Sequence, residues 1–515
     1  MISKDAITRG YNHGDYIVGA PTPPAYAAAI THIGTEAGLA HHTVTVSESV
    51  VDRLRAIADQ VFTSREDIVI NTRDWWSGTK ISETSGRPAV TEGVFVRVSH
   101  VEQVQAIMKL AHMHRIPVTA SAGRSNVTGA ALPLRGGIIL DLFGLNRFLG
   151  FERESQLAEV EAGLFGDVFE TRIQKEYGMT MGHWPSSFGI STIGGWIACR
   201  GAGQLSTRYG KIEDMVHTID VVLADGSLVT LGGYPRAANG PDLKQIFIGS
   251  EGTLGIVVRA RLKLHKLPEY ARSLCFGFPS FAAGLEACRL IMQRGGTPAV
   301  LRLYDALESR IQFDYPKTNL LLIADEGPEE IVDACMEICK TICETRSETL
   351  PANAVFERWL DTRYTTEKPS EGFVVNDGFV ADTLEMAGSW ACLPEIYEKV
   401  VAAINAIPGT LAGSAHQSHA YLEGACVYFS LRAELKPEER ADWYKEVWES
   451  VNSVLMQYRF NITISHHHGI GLLRGPYMRP SLGAGYDILL AIKKALDPLN
   501  LLNPGKMGFP LADEQ

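Results

Sequence analysis

The chain contains no apolar run that approaches the roughly 20 residues needed to span a bilayer. Its start, MISKDAITRGYNHGDYIVGA, is too polar for a secretory signal peptide. It also lacks an excess of positive charge, because 48 Lys and Arg residues face 59 Asp and Glu residues and the formal net charge is −11. That balance argues against nucleic acid as a partner, since proteins that neutralise phosphates carry basic surfaces. We therefore expect a soluble, intracellular, cytoplasmic protein without a transmembrane segment, and peripheral membrane contact stays open.

Cysteine is scarce as well, with eight residues in 515 and no CxxC pair. Scattered cysteines of this kind are typical of a reducing compartment. Cys335, Cys339 and Cys343 recur every four residues, which predicts a buried stripe on one helix face. Zinc would need closely paired ligands from a loop or knuckle, so the cysteines predict no metal site.

The length of the chain predicts two large domains, since hydrophobic cores stop growing beyond roughly 250–300 residues. Changes in pattern divide it into a helical lead-in over 1–60, a first domain over 61–267, a second over 268–460 and a C-terminal segment over 461–515. Within the lead-in, the Ala-rich stretch 24–40 and the segment VSESVVDRLRAIADQV are the predicted helices, and Ser47 would cap the second.

The order of strand and helix patterns predicts an α+β fold. GVFVRVSH, VEQVQAIMKLAHMHR and IPVTAS read as strand, helix and strand, and further strands follow at short spacing, with a hairpin at Gly226. From about residue 270, helical stretches such as FAAGLEACRLIMQRGG alternate with strands such as NLLLIAD and GACVYFSLRAEL. This alternation predicts an antiparallel sheet covered by helices.

Three loops of the first domain are rich in Gly, Ser and Thr: AGRSNVTGAALP at 122–133, the stretch 182–216 and IFIGSEGTLGIV at 246–257. Glycine weakens regular structure unless the backbone must approach something closely, and the amides of such turns can converge on a phosphate. No GxGxxG opens a helix and no GxxxxGK[ST] occurs, so neither a Rossmann fingerprint nor a P-loop is indicated. The three loops together favour a bulky, phosphate-bearing cofactor.

The order of PVTASAGRSNV, PSSFGISTIGGWIACRGAGQLSTRYGKIEDMV and GPDLKQIFIGSEGTLGIV resembles the FAD-binding domain of the vanillyl-alcohol-oxidase (PCMH-type) superfamily. Within that superfamily the chain is most similar to the alkylglycerone-phosphate synthases, from about residue 65 to the C-terminus, through LRLYD, YLEGACVYFS and SHHHGIGLLR. The resemblance implies a two-subdomain FAD-binding domain at 61–267, an α/β cap domain at 268–460 and a final segment that packs back on the FAD domain. It also implies non-covalent FAD and, by fold-level analogy, a homodimer.

The resemblance assigns the FAD contacts to the three loops. The pyrophosphate would lie on Thr119, Ala120, Ser121, Ala122, Gly123, Arg124, Ser125, Asn126 and Val127. The ribityl chain and isoalloxazine would follow Ser186, Ser187, Ser191, Thr192, Gly194 and Gly195, with Pro185 and Ala198 beside them. The adenosine side would contact Glu251, Gly252, Thr253 and Ile256. One departure is the first loop, which has SAGRSN where relatives carry a glycine run followed by Thr-Ser.

His466, His467 and His468 follow the strand pattern NITIS. On an extended backbone, His466 and His468 would share one face while His467 points to the other. A structural pair and a metal site are alternative interpretations, although no carboxylate or cysteine stands at a supporting spacing. Histidine beside a flavin can take or give a proton near neutral pH. In the resembled family this triplet lies at the active site.

Two other side chains match active-site positions of the resembled family. Tyr428 could be a core aromatic, but it matches the family's tyrosine and would suit proton abstraction if nearby cations lower its pKa. Arg302 matches an arginine that faces flavin and substrate, and if buried elsewhere it would need a carboxylate partner.

The implied substrate positions are Trp390, Cys392, Leu472 and Arg474. Cys392 stands where the synthases carry an arginine for the substrate phosphate, and Leu472 replaces a lysine. Losing two such cations removes charge-assisted hydrogen bonds of about 1.5–3 kcal/mol each. We therefore expect an uncharged or weakly polar substrate.

The leading hypothesis is an FAD-dependent oxidoreductase in which an alcohol-type substrate gives a hydride to flavin N5. The alternative is the resembled family's own redox-neutral exchange of acyl for alkyl on acyl-dihydroxyacetone phosphate in ether-lipid synthesis. A flavin-binding protein without catalysis is a third interpretation, which the retained tyrosine, arginine and histidines disfavour.

Overall fold

The computed structural model describes residues 39, 42–84, 86–364 and 379–511. The predicted helix at 24–40 lies outside these residues apart from residue 39. The second helix of the lead-in is present, and Ser47 is its N-cap residue, although its hydroxyl contacts Ser49 rather than a backbone amide. No helix among the described residues has the length and apolar character that crossing a membrane requires. The homodimer remains a prediction.

The first sheet joins four short described strands in which apolar residues predominate. Its strands are β1 (Gln60–Phe62), β2 (Val94–Arg97), β3 (Val118–Ser121) and β4 (Ile138–Asp141), in the order β1-β2-β4-β3. The helices near it are α1 (Glu48–Ile57), α2 (Arg65–Asn71), α3 (Ser77–Thr84) and α4 (Val101–His114). β2 and β3 both pair in parallel with β4, as continuous apolar runs favour. The predicted strand, helix and strand are confirmed as β2, α4 and β3.

The second sheet is antiparallel. Its strands are β5 (Phe148–Glu152), β6 (Leu157–Glu161), β8 (Val216–Val222), β9 (Leu228–Gly232) and β10 (Ile256–Lys263), in the order β5-β6-β10-β8-β9. A separate pair is formed by β7 (Met179–Thr180) and β11 (His265–Lys266). The helices of this region are α5 (Gly166–Tyr177), α6 (Ile193–Cys199), α7 (Ser206–Tyr209), α8 (Ile212–Met215) and α9 (Lys244–Phe247). The predicted hairpin joins β8 to β9, and Gly226 has a φ of +83° in its turn.

Within the described residues, the third sheet is antiparallel and has eight strands. They are β12 (Tyr270–Phe278), β13 (Val300–Tyr304), β14 (Asn319–Gly327), β15 (Glu348–Leu350), β16 (Phe379–Ser389), β17 (Thr410–Ala420), β18 (Gly424–Glu434) and β19 (Ile462–Thr463), in the order β15-β12-β14-β13-β17-β18-β16-β19. The later helices are α10 (Phe281–Gln293), α11 (Ala306–Phe313), α12 (Glu329–Glu344), α13 (Ala352–Thr362), α14 (Leu393–Asn405), α15 (Arg440–Leu455), α16 (Met478–Leu482) and α17 (Gly485–Leu496). Single 3₁₀ turns occupy Pro437–Glu439, Met456–Tyr458 and Gly475–Tyr477. The cysteine stripe of α12 is buried, as predicted.

The two faces of the third sheet differ in polarity. On β18, Val427, Phe429 and Leu431 are buried in the core that the helices cover. Tyr428 and Arg432 alternate with them and therefore lie on the opposite face. That opposite face is polar, and it borders a cavity.

Candidate active site

A cavity of about 510 Å³ lies between the three Gly-rich loops and the polar face of the third sheet. Nearly all of the predicted FAD-contacting residues line it: Ala120, Ser121, Ala122, Gly123, Arg124, Ser125, Asn126, Val127, Pro185, Ser186, Ser187, Ser191, Thr192, Gly194, Gly195, Ala198, Glu251, Gly252 and Ile256. Thr119 and Thr253 lie behind the lining, where their hydroxyls bond to the Asn503 side chain at 3.4 Å and the Ser250 carbonyl at 2.7 Å. The structure thus brings together three loops that are distant in the sequence.

The first loop packs directly against the second. A Cβ at Gly123 would stand 2.5 Å from the carbonyl oxygen of Ile190, so only glycine allows this approach. The next residue, Arg124, has a φ of +51° and is 4% exposed. Its guanidinium lies 3.9 Å from the Asp141 carboxylate. Where the family has a glycine run, this loop therefore has a buried arginine, which contributes a positive charge to the cavity wall.

FAD fits this lining. Within the described residues, several buried polar atoms at the cavity have no hydrogen-bond partner in the protein: Ser121 Oγ, both ring nitrogens of His183 and His416 Nδ1. Burying such atoms without partners is costly, so a polar ligand that bonds to them would stabilise the site. The polar atoms also occur at both ends of the cavity, on the loop side and on the sheet side. That distribution suits a cofactor beside a substrate.

Tyr428 stands at the centre of the sheet side, between two histidines. Its hydroxyl lies 2.7 Å from Nε2 of His467 and 2.6 Å from Nε2 of His468. All three residues line the cavity, while His466 does not. The ring of His416 stacks on Tyr428 with centroids 4.9 Å apart and planes 10° apart, which fixes the phenol's orientation.

The expected alternation of the three histidines is wrong. His467 and His468 converge on one hydroxyl, because residues 466–468 are not extended but wrap around the buried carboxylate of Glu385. The backbone amides of His466 and His468 donate to that carboxylate at 2.5 and 2.9 Å. Arg474 holds it from the other side, with 3.2 Å between Nη1 and Oε1.

Residues 466–471, here called the histidine segment, are also hydrogen-bonded to two of the three Gly-rich loops. The side-chain amide of Asn126 donates to the carbonyl of His468 at 3.1 Å. The Glu251 carboxylate accepts from the amides of Ile470 and Gly471. Two residues predicted to contact FAD therefore also position the histidines.

A hydrogen-bonded chain continues from Tyr428 away from the cavity. His467 Nδ1 lies 2.9 Å from Nδ1 of His466, and His466 Nε2 lies 2.7 Å from the hydroxyl of Tyr421. Tyr421 is half-buried and precedes exposed Leu422. On the other side of Tyr428, Nδ1 of His468 faces Glu385 Oε1 at 3.8 Å.

Burial dominates the protonation equilibria of these groups. It lowers the pKa of His468 to about 4, against the opposing effect of the Glu385 carboxylate. It lowers the pKa of His466 and His467 well below the ordinary value, so all three imidazoles are neutral near pH 7. Burial also raises the pKa of Tyr428 well above its ordinary value, although Arg302 and Arg474 act in the opposite direction. The expectation that cations would lower this pKa is therefore wrong.

Arg302 presents a positive charge to the cavity. Its Nε donates to the hydroxyl of Tyr304 at 2.9 Å, and no carboxylate among the described residues lies within ion-pair distance of it. Two other arginines line the sheet side, Arg363 and Arg432, and the second is paired with Glu308 at 2.9 Å.

The four predicted substrate residues do not line the cavity. Trp390 donates to the carbonyls of residues 421 and 422, and the thiol of Cys392 lies near Ser389. Leu472 bonds through its backbone to Thr128, and Arg474 holds Glu385. Cys392 and Leu472, which replace two cations of the resembled family, lie outside the cavity lining. Their lack of charge therefore gives no information about the charge of the substrate.

Sequence reasoning missed several residues of the site. Arg432 and Ser430 follow Tyr428 at intervals of two in GACVYFSLRAEL, so strand alternation could have placed them on its face. Glu385 is a lone acid in the apolar strand stretch TLEMAG, an unusual residue for a buried position. His183 gave no comparable signal.

The histidines also bear on the metal alternative. Ring nitrogens of His419, His466 and His467 lie within 4.8 Å of one another, close enough to hold one cation. In this structure the same rings bond to hydroxyls and to each other, with His419 Nδ1 2.7 Å from Ser206 Oγ. Their ring nitrogens are therefore already engaged by protein partners.

Two family models match separate parts of the chain. A family model described as FAD binding domain matches residues 93–232, and one described as FAD linked oxidases, C-terminal domain, matches residues 267–507. Alkyldihydroxyacetonephosphate synthase of Trypanosoma brucei brucei is 31% identical over 448 residues, 78% of this chain and 70% of that protein. An uncharacterized FAD-linked oxidoreductase of Escherichia coli (strain K12) is 30% identical over 489 residues, 90% of this chain and 98% of that protein. A solved alkyldihydroxyacetonephosphate synthase structure superposes with a TM-score of 0.74 at 23% identity, covering 93% of this chain and 91% of that one.

The structural neighbours confirm the predicted PCMH-type α+β fold, and the family models establish FAD as the cofactor. That FAD is held non-covalently stays a prediction. The relatives include both oxidoreductases and synthases, so they agree on a flavoenzyme and differ in its reaction. On these matches the chain belongs to the family of FAD-linked oxidases.

Proposed function

We propose that the protein is an FAD-dependent oxidoreductase that oxidises an alcohol carrying a negatively charged group beside its hydroxyl. The observation that carries the proposal is that Arg302, without a carboxylate partner in the described chain, faces the same cavity as the Tyr428 hydroxyl. A short 2-hydroxy acid has both groups that this pair would recognise, an acid and an adjacent hydroxyl. Charge-assisted bonds of a guanidinium to a carboxylate are stronger than neutral ones.

When bound along the Gly-rich loops, FAD would supply a two-electron acceptor for the hydride of the alcohol carbon. The chain's own residues remove the proton from the alcohol oxygen. Because burial keeps Tyr428 protonated, its hydroxyl passes its own proton to His468 Nε2 and receives the proton of the substrate. The imidazolium so formed at His468 is stabilised by the Glu385 carboxylate. His467 is the second hydrogen-bond partner that holds the phenol oxygen in place.

Anaerobic mixing with glycolate or with either enantiomer of lactate is expected to bleach the flavin absorbance. Neutral alcohols of equal size, such as ethylene glycol and propane-1,2-diol, should do so at least roughly tenfold more slowly, because they lack the group that Arg302 binds. Arg302→Met should remove this preference, and Arg272→Met, which breaks an ion pair at the surface, should keep it. Equal reduction by acids and neutral alcohols in the wild type would contradict the role of Arg302.

The chain of hydrogen bonds from Tyr428 through His467 and His466 to Tyr421 leads away from the cavity. Each neutral imidazole offers one donor and one acceptor nitrogen, so His467 and His466 can link the two hydroxyls in a single directed series. We propose that protons of the catalytic cycle travel along this series. Tyr421 is its outer end.

Tyr421→Phe is expected to slow flavin reduction about tenfold, less than the loss of a direct acid–base group. It should also enlarge the rate difference between H₂O and D₂O, because proton transfer becomes more limiting. Stopped-flow absorbance in both solvents measures each effect. Tyr397→Phe, which removes a half-buried hydroxyl bonded to Asp305 outside the cavity, is the matched control. An unchanged rate and isotope effect in Tyr421→Phe would rule out this path.

The synthase reaction of the relatives is the second candidate. It calls for a long apolar channel, whereas the cavity beyond Tyr428 is lined by Glu308, Gln312, Thr383, Ser430 and Arg432, with Ala381 and Leu431 among them. Incubation with acyl-dihydroxyacetone phosphate and a fatty alcohol separates the two, since only a synthase would release fatty acid without reducing the flavin.

A further inference from the structure

The cavity extends past Tyr428 along the polar face of the third sheet. Ser430 and Arg432 of β18 and Thr383 of β16 line this extension, and Glu308 and Gln312 of α11 face them. We call these five residues the distal subsite. They take no part in the proton transfer described above.

The guanidinium of Arg432 reaches back toward Tyr428. Its Nη1 donates to Ser414 Oγ at 2.7 Å, and Ser414 is paired across the strands with Ser430. Ser430 is two residues from Tyr428, a separation of roughly 7 Å along a strand. The distal subsite therefore lies about one pleat repeat from the reacting hydroxyl, within reach of the far end of a sugar-sized molecule.

The charges of the distal subsite are balanced. Arg432 pairs with Glu308 at 2.9 Å, and Gln312 donates to the other carboxylate oxygen at 2.5 Å. A second negative group on the substrate would find Arg432 already neutralised. An alkyl chain would bury the pair without offering hydrogen bonds, which is costly. Hydroxyl groups, which donate and accept, match a paired carboxylate and guanidinium.

An independent observation points to a polar ligand in the same chamber. Nδ1 of His416, whose ring stacks on Tyr428 beside the distal subsite, is buried at the cavity and has no hydrogen-bond partner among the described residues. A buried polar atom of this kind is ordinarily bonded. A hydroxylated substrate that extends from Arg302 to the distal subsite would supply that partner.

We infer that the substrate is a polyhydroxylated 2-hydroxy acid of sugar-acid type, with its carboxylate on Arg302, its reacting hydroxyl at Tyr428 and its remaining hydroxyls on the distal subsite. This inference rests on the proposed oxidation, since Arg302 and Tyr428 hold the reacting end. It adds the size and polarity of the rest of the molecule.

The test compares six-carbon acids of equal length and equal charge. Gluconate and mannonate, which differ in configuration at the 2-position, are compared with both enantiomers of 2-hydroxyhexanoate, which lacks the distal hydroxyls. We measure the second-order rate constant of anaerobic flavin reduction for each acid. The constant of the better aldonate is expected to be at least roughly tenfold above that of the better 2-hydroxyhexanoate. In Glu308→Gln/Arg432→Met this ratio should fall toward one, and in the control Arg272→Met it should not change.

Two results separate the inference from the proposed function. If 2-hydroxyhexanoate is oxidised as well as the aldonates, the distal subsite is refuted while the oxidation of hydroxy acids stands. If none of these acids, nor glycolate, reduces the flavin of FAD-loaded protein, the proposed function fails with it. The ratio between the aldonate and 2-hydroxyhexanoate rates in the wild type tests the distal subsite even if the double variant does not fold.

Discussion

Tyr428→Phe is expected to reduce the rate of flavin reduction by about 10³-fold, within the range of general acid–base catalysis, while FAD content stays at the wild-type level. The reason is positional, because the hydroxyl lies within 2.7 Å of two imidazole nitrogens and faces the cavity. The phenyl ring keeps the stacking on His416. Stopped-flow reduction with the best hydroxy acid measures the loss, and the flavin spectrum measures the content.

The matched control is Tyr397→Phe, whose hydroxyl contacts Asp305 and lies away from the cavity. It should leave the rate near that of the wild type. If Tyr428→Phe retains wild-type reduction of the flavin, the phenol has no part in proton transfer and the proposed mechanism is refuted.

The second large effect concerns Glu385. Glu385→Ala is expected to lower the free energy of unfolding by about 3–5 kcal/mol, since it leaves buried Arg474 without its carboxylate. It should also lower flavin reduction by at least about 10²-fold, because the amides of the histidine segment lose their common acceptor. Urea unfolding and stopped-flow reduction measure the two quantities.

Glu83→Ala is the control for this variant. It breaks another buried ion pair, Arg73–Glu83 at 2.8 Å, whose members do not line the cavity. A similar loss of stability with retained turnover is expected there. If Glu385→Ala and Glu83→Ala slow flavin reduction equally, the slower reduction in Glu385→Ala results from lost stability alone.

Local patterns predicted the elements of this fold well. β2, α4 and β3 follow from apolar periodicity, and the turn at Gly226 follows from its position between two strand patterns. The three Gly-rich loops were located by composition, because their backbone must pass close to other groups, as Gly123 does to Ile190. These features are encoded within short stretches of chain.

The errors came from contacts between distant residues. The alternation expected for residues 466–468 failed because Glu385, about eighty residues earlier, bends that segment through its amides. Family positions placed Cys392 and Leu472 at the substrate, but their neighbours in space are Ser389 and Thr128. The raised pKa of Tyr428 follows first from burial, which the sequence around it does not report.

The attachment of the histidine segment to separate parts of the chain limits how this fold can be recombined. Asn126 and Glu251 hold it from the FAD side and Glu385 holds it from the sheet that carries Tyr428. Consider a hybrid enzyme made by exchanging the predicted cap domain, 268–460, between two relatives. His467 and His468 would then come from one parent and Tyr428 from the other. Productive chimeras should therefore be those in which these three anchors and the segment descend from a single parent.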